Sequence, residues 1–401
     1  MFPRPRGSGG TAMEPETRSF ARRWGAYERR TGLLTAILVG IFASYLVIYL
    51  AVTLHRGERF PFGDFFALWS YAKIAIGHPA AELYDPTALH AAQLALGMDP
   101  GQQNPFPYPP SFLLILWPLG LMSYTVAYLV WIGATLALYV WASTERPGRA
   151  ISILIALLAP TTTIMLVAGQ SGFLAGALVI GGFRLGKTRP ILAGALFGLL
   201  TYKPQLALLV PIALIAAGSW RCIASACMTV IVLVILTSAA FGWSIWTIWL
   251  AALPVYSRQF DAGAGAYNLM PTLTANLQML GVTLSTARLV QAGAALGVAI
   301  IIWRLFRRGV TASSCNALLA GTFLATPHAF VYDLPMLTGA VSGFVADRLR
   351  SDAAFGLDEI GILIFALAFP ALMMWAGPQI PLSSLPELLL FGLFLARRNK
   401  S

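Results

Sequence analysis

Apolar residues come along this chain in blocks of about twenty, the length an α-helix needs to cross roughly 30 Å of hydrocarbon. The blocks predict twelve spans, near 32–54, 124–143, 150–168, 170–186, 190–202, 203–218, 221–241, 284–303, 312–327, 333–349, 358–376 and 383–396. Between the first two lies a moderately polar stretch, 55–123, where 64–77 and 86–97 mix aromatic and polar positions at helical spacing, punctuated by Pro79, Pro86, Pro109 and Pro110. These segments read as helices lying at the outer membrane surface. The apolar run 111–121 is too short to span and ends at Pro118 and Gly120, so it reads as a further interfacial or re-entrant piece. The expected fold is an all-α, polytopic membrane bundle: a single transmembrane domain over 32–400 behind a disordered basic tail, 1–31.

Composition agrees with that pattern. Of 401 residues, 58% are hydrophobic and 11% charged, with a mean hydropathy of +0.73. Soluble domains carry roughly a quarter charged residues. A net charge of +11 would point to nucleic acid if it were spread over one face, but the cations sit in short clusters between apolar blocks, as topology signals do. With twelve spans, 21 of the 27 Lys and Arg fall on one side, which places both termini in the cytoplasm; the exceptions are Arg56, Arg59, Lys73, Lys203, Arg258 and Arg288. Counting 111–121 as a span would invert several clusters. Cys222, Cys227 and Cys315 have no metal-ligand spacing and make no disulfide framework, so they read as small apolar residues.

On this topology the unusual polar residues gather on the outer face: Asp64 at the head of the first outer helix, Asp85 in Tyr84-Asp85-Pro86, Tyr108 before Pro109-Pro110, Gln170 in Gly169-Gln170-Ser171, Lys203 and Gln205 around Pro204, and His328, Tyr332 and Asp333 after Pro327. Ionisable groups at membrane depth are costly and mark function by default. Each also has a structural reading: Asp64 as a helix cap, Lys203 as a snorkelling cation, Asp85 as turn chemistry, Gln170 as a partner for turn backbone, His328 as a structural histidine. No HExxH, P-loop or helix-opening GxGxxG is present. What remains is a carboxylate, Asp64, able to take a proton, and cations, Lys203 with His328 and Arg258, able to hold an anion. That pairing suits transfer from a phosphate-activated donor. The helix N-terminus is expected to favour the ionised form of Asp64.

The ordered set Asp64-Phe65, Gly77, Tyr84-Asp85-Pro86, Phe106-Pro107-Tyr108-Pro109-Pro110, Gly169-Gln170 and Lys203-Pro204-Gln205 resembles the polyprenyl-phosphate-dependent glycosyltransferases of family 87, a DUF2029-type branch of the GT-C superfamily similar to α-mannosyltransferases. The resemblance implies a GT-C helical bundle with interfacial helices in the first outer loop and a cavity facing the periplasm or its equivalent, in the plasma (inner) membrane. It implies Asp64 as general base, with Lys203 and His328 contacting the donor phosphate. Gln170, Gln205, Tyr108 and Arg258 belong to the same substrate-binding group, and Asp85, Tyr332 and Asp333 take secondary places. Phe65-Phe66 stands where many GT-C members carry a second acid, so no metal and no cofactor is expected. The implied partners are a polyprenyl-phosphate sugar (mannose first), a glycolipid or glycan acceptor, and membrane lipids, with neither nucleic acid nor an obligate protein partner. A transporter or flippase of a lipid-linked sugar is the rival reading, and a non-catalytic scaffold the third. No internal repeat of the kind inverted-repeat transporters show is visible.

Overall fold

The computed structural model describes residues 63–144, 149–262, 267, 269–351, 355–376 and 381–397. The basic tail 1–31, the expected first span 32–54, the Arg56 and Arg59 positions and residues 263–266 lie outside the described residues. Within them the chain forms seventeen α-helices and no strand. In chain order these are α1 (Gly63–Gly77), α2 (Pro86–Ala95), α3 (Phe112–Gly120), α4 (Tyr124–Ser143), α5 (Arg149–Leu158), α6 (Pro160–Ala168), α7 (Gly172–Leu185), α8 (Pro190–Leu199) and α9 (Leu209–Ala216). They continue with α10 (Trp220–Phe241), α11 (Ser244–Ala262), α12 (Leu273–Met279), α13 (Leu284–Arg307), α14 (Ala312–Ala325), α15 (Pro335–Arg350), α16 (Leu357–Ala376) and α17 (Leu385–Arg397).

Four of these, α4, α10, α13 and α16, are long and apolar enough to cross a bilayer, and a fifth span results if α5 and α6 count together. Their outer faces fit lipid. On α10 Met228, Ile231, Ile235 and Leu236 are more than half exposed, as are Leu289 and Leu296 on α13, an apolar surface that water would not tolerate at this extent. The protein is thus a helical membrane protein. The segments expected to span at 170–186, 190–202 and 312–327 are apolar but short helices, and the described residues do not establish the count of twelve.

Two stretches differ from the expected pattern. The span near 150–168 is bent by 49° between α5 and α6. Pro160 has no N–H to give and its ring crowds the preceding turn; the Thr162 hydroxyl donates to the stranded Ala156 carbonyl at 2.6 Å. The loop expected over 242–283 contains a 19-residue helix, α11, with Pro254 inside it. Its Trp249 indole donates to the Pro107 carbonyl at 3.3 Å, tying α11 to the first outer loop.

The stretch 63–123 is a packed layer. α1 lies against α3, and Lys73 donates to the Gly120 carbonyl at the end of α3 (2.9 Å), where a cation meets the negative end of the helix dipole. This accounts for one of the six cations outside the basic clusters. Tyr71 donates to the Pro105 carbonyl at 2.6 Å and Tyr84 to the Tyr108 carbonyl at 3.0 Å. Buried Gln93 reaches both Ser70 Oγ and the Asn104 carbonyl at 3.1 Å. The segment before α3 is therefore held by side chains of α1, α2 and the 3-10 turn Ala80–Tyr84. At the opposite end Glu359 pairs with both Arg348 and Arg397, fastening α15, α16 and α17 together.

Candidate active site

Four chain segments meet beneath the 63–123 layer, and in two of them a helix stops for a reason legible in its sequence. α6 ends at Gly169, whose φ of +65° is left-handed, a conformation in which other residues are strained. The Gly169 carbonyl accepts from the Trp131 indole at 3.0 Å. A Cβ at Gly169 would lie 2.5 Å from the Phe65 Cβ, and one at Gly172 1.7 Å from the Tyr332 carbonyl oxygen. These two glycines let the head of α1 and the Tyr332 backbone close on the α6–α7 turn. α8 runs into the 3-10 turn Leu200–Tyr202 and stops at Lys203 (φ −128°, ψ 71°), because the residue before a proline, here Pro204, is pushed out of the helical region. The fourth segment is the 3-10 turn Val331–Asp333, before α15.

At the centre Lys203 Nζ donates to Asp333 Oδ1 at 2.6 Å, with the two side chains 3% and 2% exposed. Asp333 Oδ2 accepts from the Phe330 N–H at 3.1 Å, and Lys203 Nζ lies 5.0 Å above the Tyr332 ring. Aromatic rings wall the pair. Phe112 stacks on Tyr202 at 4.5 Å, Tyr108 meets Phe112 at 4.8 Å, and Phe330 stacks on Tyr332 at 5.1 Å. Tyr202 donates to the Ser171 carbonyl at 2.9 Å, joining the Lys203 break to the α6–α7 turn.

Asp64 sits in the first turn of α1. Its side chain keeps open surface, so it can be reached from outside, yet the protein around it removes enough solvent to raise its carboxyl from 3.8 to about 6. Desolvation is the one cause of that shift, and it outweighs the pull of the helix N-terminus toward the ionised form. The Tyr108 phenol is raised by burial first, and then by the charges of both Asp333 and Asp64. Tyr332 is raised by burial, then by Tyr108, Asp333 and Asp64. The two phenols therefore lie within electrostatic reach of both carboxylates.

Gln170 is buried in the α6–α7 turn, and its side-chain Oε1 has no hydrogen-bond partner among the described residues. An orphaned buried acceptor costs about 1–3 kcal/mol, which a ligand hydroxyl would offset. His328 is half-buried, its N–H donating to the Thr326 hydroxyl (3.4 Å) and its carbonyl accepting from it (3.1 Å). Asp85 is the N-cap of α2, accepting from the Thr87 and Ala88 amides at 2.8 and 3.1 Å. Gln205 is half-buried in the turn after Lys203, and Arg258 is exposed on α11. Among the described residues no hydrogen bond or ion pair joins either to the Lys203–Asp333 pair. Those residues also hold no group of three or more His, Cys, Asp and Glu placed to bind a metal ion.

Sequence reasoning missed three features: the pairing of Lys203 with Asp333 across 130 residues, the tyrosine wall that includes Tyr202, and the orphaned amide of Gln170. The available signal was proline. Lys203 immediately precedes Pro204, where a helix is forced to end, and Asp333 lies two residues before Pro335, where the next helix begins.

No curated protein and no solved structure matches this chain. The sequence profile of glycosyltransferase family 87 matches residues 106–327, more than half of the chain. The match begins at Phe106 of the Phe-Pro-Tyr-Pro-Pro run, takes in Tyr108, Gln170, Lys203, Gln205 and Arg258, and stops just before His328. Asp64 and Asp333 fall on either side of it. With apolar helices around a buried, aromatic-walled charge pair, the match decides for a transferase over a transporter or scaffold: the chain belongs to glycosyltransferase family 87 and is a membrane glycosyltransferase.

Proposed function

We propose that the protein moves a hexose, mannose first, from a polyprenyl-phosphate sugar to a hydroxyl of a glycolipid or glycan acceptor at the outer face of the plasma (inner) membrane, with both termini cytoplasmic. The observations that carry this reading are a reachable carboxyl raised to about 6, a buried lysine–aspartate pair, and two phenols, Tyr108 and Tyr332, that feel the charge of both carboxylates. At neutral pH a carboxyl of that pKa is mostly ionised and more basic than an ordinary aspartate, which suits a general base. Asp64 takes the proton of the acceptor hydroxyl as its oxygen attacks the anomeric carbon from the face opposite the phosphate. The anomeric carbon–oxygen bond breaks, and polyprenyl phosphate leaves with the electron pair, giving inversion.

Lys203 supports the departing phosphate. An ammonium has three N–H donors, and Asp333 takes one of them at 2.6 Å; the others, with the Tyr108 and Tyr332 hydroxyls, are the donors assigned to phosphate oxygens. Asp333 fixes the direction of the lysine, and Gln170 Oε1 is assigned to a hydroxyl of the bound sugar. His328 is kept as a further phosphate contact. No step requires a metal ion or cofactor. The test is transfer by purified protein from labelled polyprenyl-phosphate mannose into a membrane lipid extract, with the anomeric configuration of the product read by NMR. Inverted, labelled glycolipid is expected; retention of configuration, or transfer from a nucleotide sugar alone, would overturn the reading.

A further inference from the structure

The end of the bundle opposite Asp64 holds a second polar recess that plays no part in the chemistry above. It encloses about 410 Å³ among α4, α7, α14 and α15, and is lined by Ser143, Arg184, Lys187, Thr311, Asn316 and Gly343 with apolar neighbours. α14 runs from this recess at Ala312 to the active-site side at Ala325, roughly 20 Å at 1.5 Å per residue.

Three observations point to an anionic occupant. Asn316 is 4% exposed, lines the recess, and has no hydrogen-bond partner for its amide nitrogen among the described residues. A buried amide without partners is costly and asks for a ligand or water. Next, α14 begins at the recess. Its capping box uses the amides of Thr311 and Ser314, which leaves those of Ala312 and Ser313, unpaired within any helix by construction, at the positive end of the dipole. Finally, two cations stand at the rim. Arg184 is oriented by donating to the Trp141 carbonyl and by lying 5.4 Å over the Trp141 ring, while Lys187 is exposed. No carboxylate lines the recess to neutralise them.

From this geometry we infer that the recess binds a phosphate group at the basic end of the bundle, with Asn316 and the start of α14 donating to its oxygens and Arg184 and Lys187 balancing its charge. The group belongs either to the headgroup of an anionic phospholipid or to free phosphate, since the recess opens between helices of a membrane bundle. The inference does not depend on the glycosyl-transfer mechanism.

Purified full-length protein is tested by native mass spectrometry and thermal shift with inorganic phosphate, short-chain phosphatidylglycerol, and phosphatidylcholine of the same chain length. Retention of phosphatidylglycerol over phosphatidylcholine is expected. Apparent affinity should fall about 10-fold in Asn316→Leu, for loss of a hydrogen bond to a charged group. In Lys187→Gln, an exposed substitution that leaves sugar transfer at the parental rate, it should fall about 3-fold, as for a surface charge. Protection by inorganic phosphate equal to that by the lipid would assign the site to free phosphate, and protection by the lipid alone would assign it to a headgroup; both support the inference. Equal retention of the two lipids together with no protection by inorganic phosphate, or protection by phosphate and by phosphatidylglycerol unchanged in both variants, would overturn it.

Discussion

Replacing Lys203 by methionine separates two roles that the structure superimposes. The ammonium is 3% exposed and 2.6 Å from Asp333, itself 2% exposed. Removing one member of a buried pair leaves an uncompensated charge and costs about 3–5 kcal/mol. Among the described residues Asp333 keeps only the Phe330 N–H at 3.1 Å as a donor, so Lys203→Met should lower the unfolding free energy by about that amount. The double variant Lys203→Met/Asp333→Asn removes both charges, and its asparagine oxygen can still accept from Phe330. Stability should therefore recover most of the loss. Donor affinity should not recover: a hydrogen bond to a charged group contributes about 1.5–3 kcal/mol, so the double variant should bind polyprenyl-phosphate sugar roughly 10- to 100-fold more weakly than the parent. Chemical unfolding in mixed detergent and a donor-lipid binding assay measure the two quantities on the same preparations. A single variant within about 1 kcal/mol of the parent would refute the buried-pair argument, and full donor affinity in the double variant would remove Lys203 from the phosphate site.

Further expectations follow from particular residues. The general base must be ionised, so kcat/KM should fall as pH drops through about 6 and hold above it, and Asp64→Asn should lack that limb; a parental profile flat from pH 5 to 8 would contradict the assignment. Gly169→Ala imposes a side chain at φ +65° and 2.5 Å from the Phe65 Cβ, and should cost about 1–2 kcal/mol with a larger loss of kcat than of folded protein, checked by thermal shift beside the transfer assay. Chelation with EDTA should leave transfer unchanged, and a loss restored by a divalent cation would show that a metal takes part. Single cysteines placed in 63–123 or on α11 should react with an impermeant reagent from outside the cell, and labelling from the cytoplasmic side only would invert the topology.

How much of this was legible depended on whether the deciding interaction was local. The apolar blocks at 124–143 and 221–241 became Tyr124–Ser143 and Trp220–Phe241 almost residue for residue, because segment length and apolarity alone decide such helices. The outer helices over 64–77 and 86–97 were similarly plain, and Asp85 is the cap that its Tyr-Asp-Pro setting implies. Asp64 was found as a helix-opening acid, but the rise of its carboxyl to about 6 was not, since periodicity does not report desolvation. Lys203 and Asp333 were each singled out, but their pairing was not, for nothing local joins residues 130 apart. The bend at Pro160 was visible in principle: a proline inside an apolar block reads equally as a tolerated kink or a break until the neighbouring hydroxyl that repairs the carbonyl, here Thr162, is seen.

The central claim is that the Asp64 carboxylate removes the acceptor proton, and one comparison tests it most directly. Asp64→Asn preserves the size of the side chain and its helix-capping capacity while removing the base. Transfer from labelled polyprenyl-phosphate mannose is measured at saturating donor for parent and variant, alongside donor affinity. The account predicts unchanged folding, donor binding within about twofold of the parent, and a transfer rate lower by roughly 10²-fold or more, the low end of what a positioned base contributes. An Asp64→Asn protein that binds donor and transfers sugar at close to the parental rate would contradict it.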